Sequence, residues 1–423
     1  MKRGKFHFSS FVFIIFSILF IYFIYQPAIY SFDSFSYLRG DFNRYPGYVI
    51  FARIYTIVFG AFFDYAVIST QLLLGFTSIY IFLRKISSVI KIHFLLKVLL
   101  FSILIFPYFP HLSIANNIAS EGLAYPFYLL LIAFSFNLIF QNQHKKIIHI
   151  SIFFVLLTLT RGQFIIVPLI VAFIYLLKHK KKVLKRLKIY VIFLLIILPF
   201  INQLTNKTYN KIIYGHFVTT PFSYINVVAL PLFVSNEDDA NYIDNEEDKL
   251  IFLKSYHQID SLGLLSSKIK GDNKNKYQVF HDNFPIICNQ NIFQNGIDFY
   301  NEKYGRIEQN SIRIEKTCKA IFPVLLKRNF KNYIVIYFEG VFHGFHSIII
   351  AILMLLVLIY SFWLCIKNFT AENGILLLSS LLIVSNSLLV ALACHSISRY
   401  LFYNYALGFL IVLLLFRKIA NSR

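Results

Sequence analysis

The residues best placed to do chemistry in this 423-residue chain are in Asp33-Ser-Phe-Ser-Tyr37-Leu-Arg39-Gly-Asp41-Phe-Asn-Arg44-Tyr-Pro-Gly-Tyr48. Two carboxylates and two guanidiniums stand directly after a first apolar run, residues 6–25. Charge at the mouth of a bilayer is costly unless it is paired or used. A carboxylate there can take the proton of a hydroxyl nucleophile. An arginine fork can hold a phosphate by two hydrogen bonds. Asp33 is the first candidate base and Asp41 the second, with Arg44 a candidate phosphate ligand. The same four charges can also neutralise one another as a solvated loop, Asp33 and Asp41 with Arg39 and Arg44.

Three further charges fall at the ends of apolar runs. Glu121 opens one run, Arg161 separates two short ones in Thr160-Arg161-Gly162-Gln163, and Arg399 opens the last in Ser398-Arg399-Tyr400. Arg161 and Arg399 suit a phosphate. Glu121 suits orienting an acceptor, holding an arginine or helping to bind a metal, and Tyr37 and Tyr400 are placed with it as site-organising residues. Each has a plainer alternative. Glu121 can complement a helix N-terminus, Arg161 can snorkel to headgroups, and Arg399 can anchor at the interface beside Tyr400 and Tyr403. Glu339, His343 and His346 share the spacing of one helical face and are the candidates for a divalent metal; a polar stripe on an interfacial helix has the same spacing. There is no C-x-x-C, no H-E-x-x-H and no Gly-rich phosphate loop, which argues against a nucleotide-driven pump.

The elements that must position these residues are membrane helices. The chain is 57% hydrophobic and 18% aromatic, with a mean hydropathy of +0.64, which fits a polytopic membrane protein rather than a soluble domain. A helix needs about 20 apolar residues to cross the hydrocarbon core. The expected spans are 6–25, 65–83, 94–112, 123–140, 147–160, 164–177, 189–204, 345–366, 375–394 and 400–416, with an eleventh possible near 333–344. The two short runs flanking Arg161 are kept separate, because merging them would put one lysine cluster on the wrong side. Two short helices meeting at a charge predict a turn set below the membrane surface and lining a cavity. The first run exceeds a 7–15 residue signal core and no A-x-A-like site follows it, so it reads as a signal anchor.

The net charge of +21 raises nucleic acid as a partner, but its distribution excludes that reading. With a cytoplasmic N-terminus, the inner segments carry Lys2, Arg3, Lys5, Arg84, Lys85, Lys91, Lys145, Lys146, seven Lys/Arg between 178 and 188, Lys367, Arg417, Lys418 and Arg423, against the single carboxylate Glu372. That is the positive-inside pattern, with both termini cytoplasmic. The run 178–188 reads as a topology anchor that can also touch anionic headgroups. Asp33, Asp41, Glu121, Arg161 and Arg399 then share the outer face, as an outward-facing active site requires.

Three parts follow: an N-terminal membrane module 1–204 with a first outer loop 26–64, an external subdomain 205–344, and C-terminal membrane helices 345–423. At about 140 residues the middle part is too long for a connection and must fold. Its stretch 306–338 has apolar residues at helical spacing with Pro323 as a break, which predicts helices on the membrane surface. Cys288 and Cys318 both lie there, where a disulfide can form.

Four patches resemble the polytopic glycosyltransferases of the GT-C fold, which use polyprenyl-phosphate-linked sugars, and in particular the bacterial branch with the lipopolysaccharide-core transferases of rhizobia and the aminoarabinose transferase of lipid A. Asp33-Ser-x-Ser with Arg44-Tyr-Pro-Gly-Tyr48 looks like the acidic motif of the first outer loop and the entry to the next helix. Asn116-Asn-Ile-Ala-Ser-Glu121-Gly-Leu is similar to the Thr-Glu-x-Leu pattern opening the fourth helix. Thr160-Arg161-Gly-Gln looks like the Arg ending the fifth, and Ser398-Arg399-Tyr400 like the Arg-Tyr opening the last. Residues 320–333 resemble a surface helix of the group. Ser34 stands where the family commonly has a second carboxylate, and Ala119-Ser120 where Leu-Thr is more usual. With the apolar runs, the resemblance gives an expected all-α polytopic, GT-C-like fold of ten to eleven spans, and the Phe, Ile, Lys and Asn bias, that of an AT-rich genome, suggests a bacterial inner membrane. The resemblance also implies inverting transfer from a polyprenyl-phosphate sugar to a lipid, glycan or protein acceptor on the outer face, with Asp33 as base, no certain cofactor and a divalent metal possible.

Two rival classes make other demands. An O-antigen-type polymerase or ligase would rely on Arg and His in the large loop rather than on a carboxylate after the first span. A lipid or glycan transporter or flippase would use charges deeper within spans and often repeated halves; the sequence has neither mid-span acids nor repeated halves.

Overall fold

The computed structural model describes residues 8–180 and 186–421. Lys2, Arg3, Lys5, Arg423 and the middle of the basic run 178–188 lie outside the described residues. The chain is all-helical, with no strand among the described residues. In order the helices are α1 (Phe8–Ile24), α2 (Phe32–Arg39), α3 (Pro46–Phe59), α4 (Phe63–Val89), α5 (Phe94–Ile105), α6 (Glu121–Phe140), α7 (Ile147–Thr160), α8 (Val167–His179), α9 (Arg186–Tyr214) and α10 (Ser223–Phe233). There follow α11 (Glu246–Ser261), α12 (Asn273–Pro285), α13 (Gln294–Tyr304), α14 (Gln309–Arg328), α15 (Phe330–Gly344), α16 (Ile348–Lys367), α17 (Ala371–Ala393), α18 (Ser398–Leu401) and α19 (Tyr405–Asn421).

Seven helical segments among the described residues are long and apolar enough to cross a membrane: Pro46–Val89, Glu121–Phe140, Gly162–His179, Leu187–Tyr214, Ile348–Lys367, Ala371–Ala393 and Ser398–Ala420. The protein is thus a helical integral membrane protein. α1 and the run Phe94–Tyr108 are apolar but shorter. So is α7, with 14 residues. Residues 333–344, expected as a possible eleventh span, lie in α15, which is not among the seven. The stretch 26–64, read as an outer loop, contains α2 and α3. α3 is apolar and runs into α4 across a short 3₁₀ turn.

The helices gather into two compact units. The first comprises the described residues up to Asn206, Met354–Val384 and the described part of Phe402–Arg423. Its centre is α6, buried along nearly its whole length and packed against α4 and α7. The chain places apolar residues all round α6, as a helix enclosed by others requires. α16 is the opposite case, with Ile349, Ile352, Leu355, Leu356, Ile359 and Trp363 exposed. A continuous apolar face of that size is untenable in water and suits lipid.

The second unit comprises Lys207–Leu353 and Ser385–Leu401. Its core is α14 against α10, with Ile314, Cys318, Ile321 and Leu325 buried at helical spacing against Ile225, Val228, Leu232 and Phe233. The stripe read as a membrane-surface face is therefore the core face of a folded subdomain. Pro323 does not break α14, which continues to Arg328. Glu315 accepts the backbone N–H groups of Tyr224 at 2.9 Å and Ile225 at 3.3 Å, supplying a carboxylate to the otherwise unmatched donors that open α10. Cys288 and Cys318 are free thiols, and burial pushes both well above the usual thiol value.

Candidate functional site

The first unit brings two arginine–carboxylate pairs to one end of its helix bundle. Their placement starts with Asn116. Its amide donates to the carbonyls of Phe23 at 3.0 Å and Gln26 at 3.2 Å, satisfying acceptors left open where α1 ends. Beside it, Ile29 and residues 116–118 exchange backbone hydrogen bonds, Ile29 N–H to the Asn116 carbonyl at 2.8 Å and Ile118 N–H to the Ile29 carbonyl at 3.0 Å. The segment entering α2 is thus fixed to the segment entering α6.

α2 is short, and its ends are held by specific residues. Ser31 and Ser34 form a reciprocal capping box, with the Ser31 N–H donating to Ser34 Oγ at 2.9 Å. Ser34 is fully buried, so the position compared with a second family acid has a structural task. Gly40, at φ +68°, closes the helix in the left-handed region that glycine enters without strain. Asp33 lies in the first turn, where a negative charge is favoured.

Arg44 returns to this helix. Its Nη2 donates to Asp33 Oδ1 at 2.8 Å and its Nε to Ser36 Oγ at 2.7 Å, and its guanidinium lies 5.2 Å from the Tyr37 ring centre. Asp33 and Arg44 side chains are each 27% exposed, so the pair is half-buried yet reachable from solvent. Asp41 has a different fate. It takes a two-pronged contact from Arg39, 3.1 and 2.7 Å, on the surface. Tyr37 packs edge-on against Tyr48 at 4.9 Å. Tyr48 is fully buried and donates to Gln71 Oε1 at 3.3 Å, while Gln71 Nε2 donates to the Ala115 carbonyl at 2.7 Å.

Arg44-Tyr45-Pro46-Gly47 then meets Thr160-Arg161-Gly162. A Cβ on Gly47 would stand 2.6 Å from Thr160 Oγ1 and 2.9 Å from the Leu159 carbonyl, so the first turn of α3 rests on the end of α7. A Cβ on Gly162 would stand 2.2 Å from the Tyr45 hydroxyl. Arg161 interrupts the helix in an extended conformation between α7 and the 3₁₀ turn Gly162–Phe164. Its Nη1 meets Glu121 Oε1 at 2.5 Å and Ser120 Oγ at 3.5 Å. Glu121 and Arg161 side chains are 3% and 9% exposed. The break at Arg161 is thus an internal ion pair at the mouths of α6 and α7.

Arg399 and Tyr400 belong to the second unit, in α18; the Tyr400 carbonyl accepts from Asn386 Nδ2 at 3.1 Å. Glu339, His343 and His346 do not share a helical face, because α15 ends at Gly344 and His346 lies beyond it at φ +60°. His343 packs instead on His281 at 4.4 Å between ring centres, and His281 on His395 at 4.9 Å. Among the described residues, no group of three His, Cys, Asp or Glu side chains is placed to hold a metal ion. In the histidine group, His395 Nδ1 donates to the His281 carbonyl at 2.9 Å and its ring stacks on Phe284. Burial above all, and then His281, lowers His395 to about 4. Three histidines from positions 281, 343 and 395 give no signal in a linear sequence. Gln71 is equally silent there, being a single amide in largely apolar surroundings, and nothing beside Asn116 in the sequence shows that its amide closes the end of α1.

Comparison with protein-family models, with curated proteins and with solved structures finds no match for this chain.

Proposed function

We propose that the protein is a membrane glycosyltransferase of GT-C type, moving a sugar from a polyprenyl-phosphate donor to a lipid, glycan or protein acceptor with inversion. The observation that carries this reading is the half-buried Asp33–Arg44 pair joined through Tyr45 and Gly162 to the buried Glu121–Arg161 pair.

Each part has a task in direct displacement. The acceptor hydroxyl loses its proton to Asp33 as its oxygen attacks the anomeric carbon. The bond from that carbon to the phosphate oxygen breaks, and the polyprenyl phosphate leaves with the electron pair. Its growing charge is met by Arg44, whose fork exchanges Asp33 for phosphate, and by Arg161. Glu121 fixes the direction of Arg161. Tyr37 supports Arg44 through its ring face. Asp41 is left out of the proton transfer, since Arg39 engages it on the surface.

In this reading the chain crosses a bacterial inner membrane ten times with both termini cytoplasmic, the shorter apolar helices α1, α5 and α7 being the three crossings beyond the seven longer ones. The reading is tested by Asp33→Asn at matched protein level, with surface glycans and lipid-linked sugars profiled. Loss of one sugar together with accumulation of its polyprenyl donor is expected. An unchanged glycan profile overturns it.

A further inference from the structure

The opposite end of the first unit holds a second polar site. α4 and α6 run in the same direction: Gln71, early in α4, abuts Gly122 at the start of α6, and Ser88, late in α4, accepts from Gln141 just past the end of α6 at 2.8 Å. Beyond α4 a cleft of about 700 Å³ opens between residues 89–93, the entry to α17 and the end of α19. It lies roughly 27 Å along α4 from Gln71 at 1.5 Å per residue, well removed from Asp33 and Arg161.

The lining is cationic. Lys91, Arg417 and Lys418 face one carboxylate, Glu372. Glu372 stands 3.7 Å from Arg417, whose guanidinium also bonds the Lys91 carbonyl. That leaves Lys91 and Lys418 as the positive excess. The start of α17 adds the partial positive charge of a helix N-terminus, with Thr370 Oγ1 receiving the Asn373 N–H at 3.2 Å. An independent feature is Asn373 itself. The residue is 5% exposed and lines the cleft. Its Nδ2 donates to the Asn368 carbonyl at 2.9 Å, while its Oδ1 is buried with no hydrogen-bond partner. A buried amide oxygen in that state is costly and calls for a donor from an occupant.

We propose that this cleft seats the headgroup of an anionic phospholipid of the phosphoglycerol kind, with the phosphate between Lys91, Lys418 and the start of α17, and a headgroup hydroxyl donating to Asn373 Oδ1. Two properties of the site select a lipid over a soluble phosphate ester. The cleft lies at the ends of helices that are apolar enough to span a bilayer. The residues beside its cations are exposed and apolar, Phe94 and Leu95 on one side and Phe416 and Ile419 on the other, which gives acyl chains a surface to follow. The site is independent of the transferase reading.

The test is native mass spectrometry of the full-length protein in detergent, titrated with phosphatidylglycerol, phosphatidylethanolamine and phosphatidic acid, with glycerol 3-phosphate as soluble competitor. One phosphatidylglycerol is expected to bind in preference to phosphatidylethanolamine. The double variant Lys91→Ala/Lys418→Ala should weaken it about thirtyfold, the ratio expected for two juxtamembrane cations. Asn373→Ala should erase the preference for phosphatidylglycerol over phosphatidic acid. Lys97→Ala, a cation over the Phe8 ring, should change nothing. Equal phosphatidylglycerol binding by wild type and double variant overturns the proposal. So does its displacement by glycerol 3-phosphate at equal concentration, which would make the ligand a soluble phosphate ester.

Discussion

Glu121 and Arg161 form a 2.5 Å ion pair that is almost wholly removed from solvent. Breaking such a pair leaves an uncompensated buried charge, whereas replacing both partners removes the need for compensation. Arg161→Met and Glu121→Met should each destabilise the folded protein by about 3–5 kcal/mol, and the double variant by clearly less than either. Thermal or denaturant unfolding of the detergent-solubilised chain reads the difference. Additive losses would mean that the two residues act separately.

The two outer carboxylates should part company. Asp33→Asn keeps the shape of the Arg44 contact but removes the base, so transfer should fall by about 10²–10⁴-fold with the protein still folded. Asp41→Asn removes only a surface pair, worth about 0–1 kcal/mol, and transfer should stay within a factor of two or so of wild type. Donor accumulation measured in both variants separates the roles. Comparable loss in both would return Asp41 to the proton transfer.

Gly162→Ala should destabilise by about 1–3 kcal/mol, because the new methyl group meets the Tyr45 hydroxyl. Gly162→Ala/Tyr45→Phe should recover part of that loss, since only the far end of a side chain is in the way. Gly47→Ala has no such remedy, as the obstruction includes the Leu159 carbonyl. Unfolding midpoints of these variants and wild type check the contrast.

Ser34→Ala should cost about 1 kcal/mol through loss of the capping box. Ser34→Asp, which would create the acidic pair common in GT-C enzymes, should cost more, because the position is fully buried and a carboxylate there must be desolvated. A Ser34→Asp protein as stable as wild type would show that the position tolerates the second acid.

Acid should weaken the second unit through His395. Its folded value of about 4 lies below the ordinary 6.5, so the unfolded chain takes up the proton first as pH falls. The stabilisation is complete above pH 6.5 and is lost between 6.5 and 4, amounting to at most about 3 kcal/mol. His281, His343 and Asp282 face the ring, and His346, Lys274 and Tyr277 lie around the same group. His281 and His343 are also lowered, chiefly by burial, which adds in the same direction. Unfolding followed from pH 7 to 4 should show the loss, and His395→Asn should flatten part of it. A variant as acid-sensitive as wild type would assign the effect elsewhere.

Much of this was legible where a residue's surroundings are set by its near neighbours in sequence. The break at Arg161 is an instance: two apolar runs of 14 residues with lysine clusters at their far ends must turn back between them, and α7 stops at Thr160. α3 was hidden because Arg39, Asp41, Arg44, Pro46 and Gly47 make its approach look like loop, and Arg53 interrupts the otherwise largely apolar residues 48–59. Glu339 and His346 misled because helical spacing says nothing about where a helix stops. Which carboxylate takes which arginine depends on α2 curling back under Arg44, a matter of capping by Ser31, Ser34 and Gly40 rather than of charge spacing. The burial of Gln71 and Asn116 is set by partners dozens of residues away.

The bed on which Gly47 rests is made of Leu159 and Thr160, residues that leave the ribosome long after it. At about 5–20 residues per second, the interval is roughly 5–20 s. Asn116, which closes off α1, arrives midway. During synthesis the Asp33 segment therefore stands at the membrane edge without its seat, and the site becomes complete only when Arg161 has emerged to join Glu121. Biogenesis of this protein has a built-in order: the first motif to be made waits for the end of α7 before it is fixed in place.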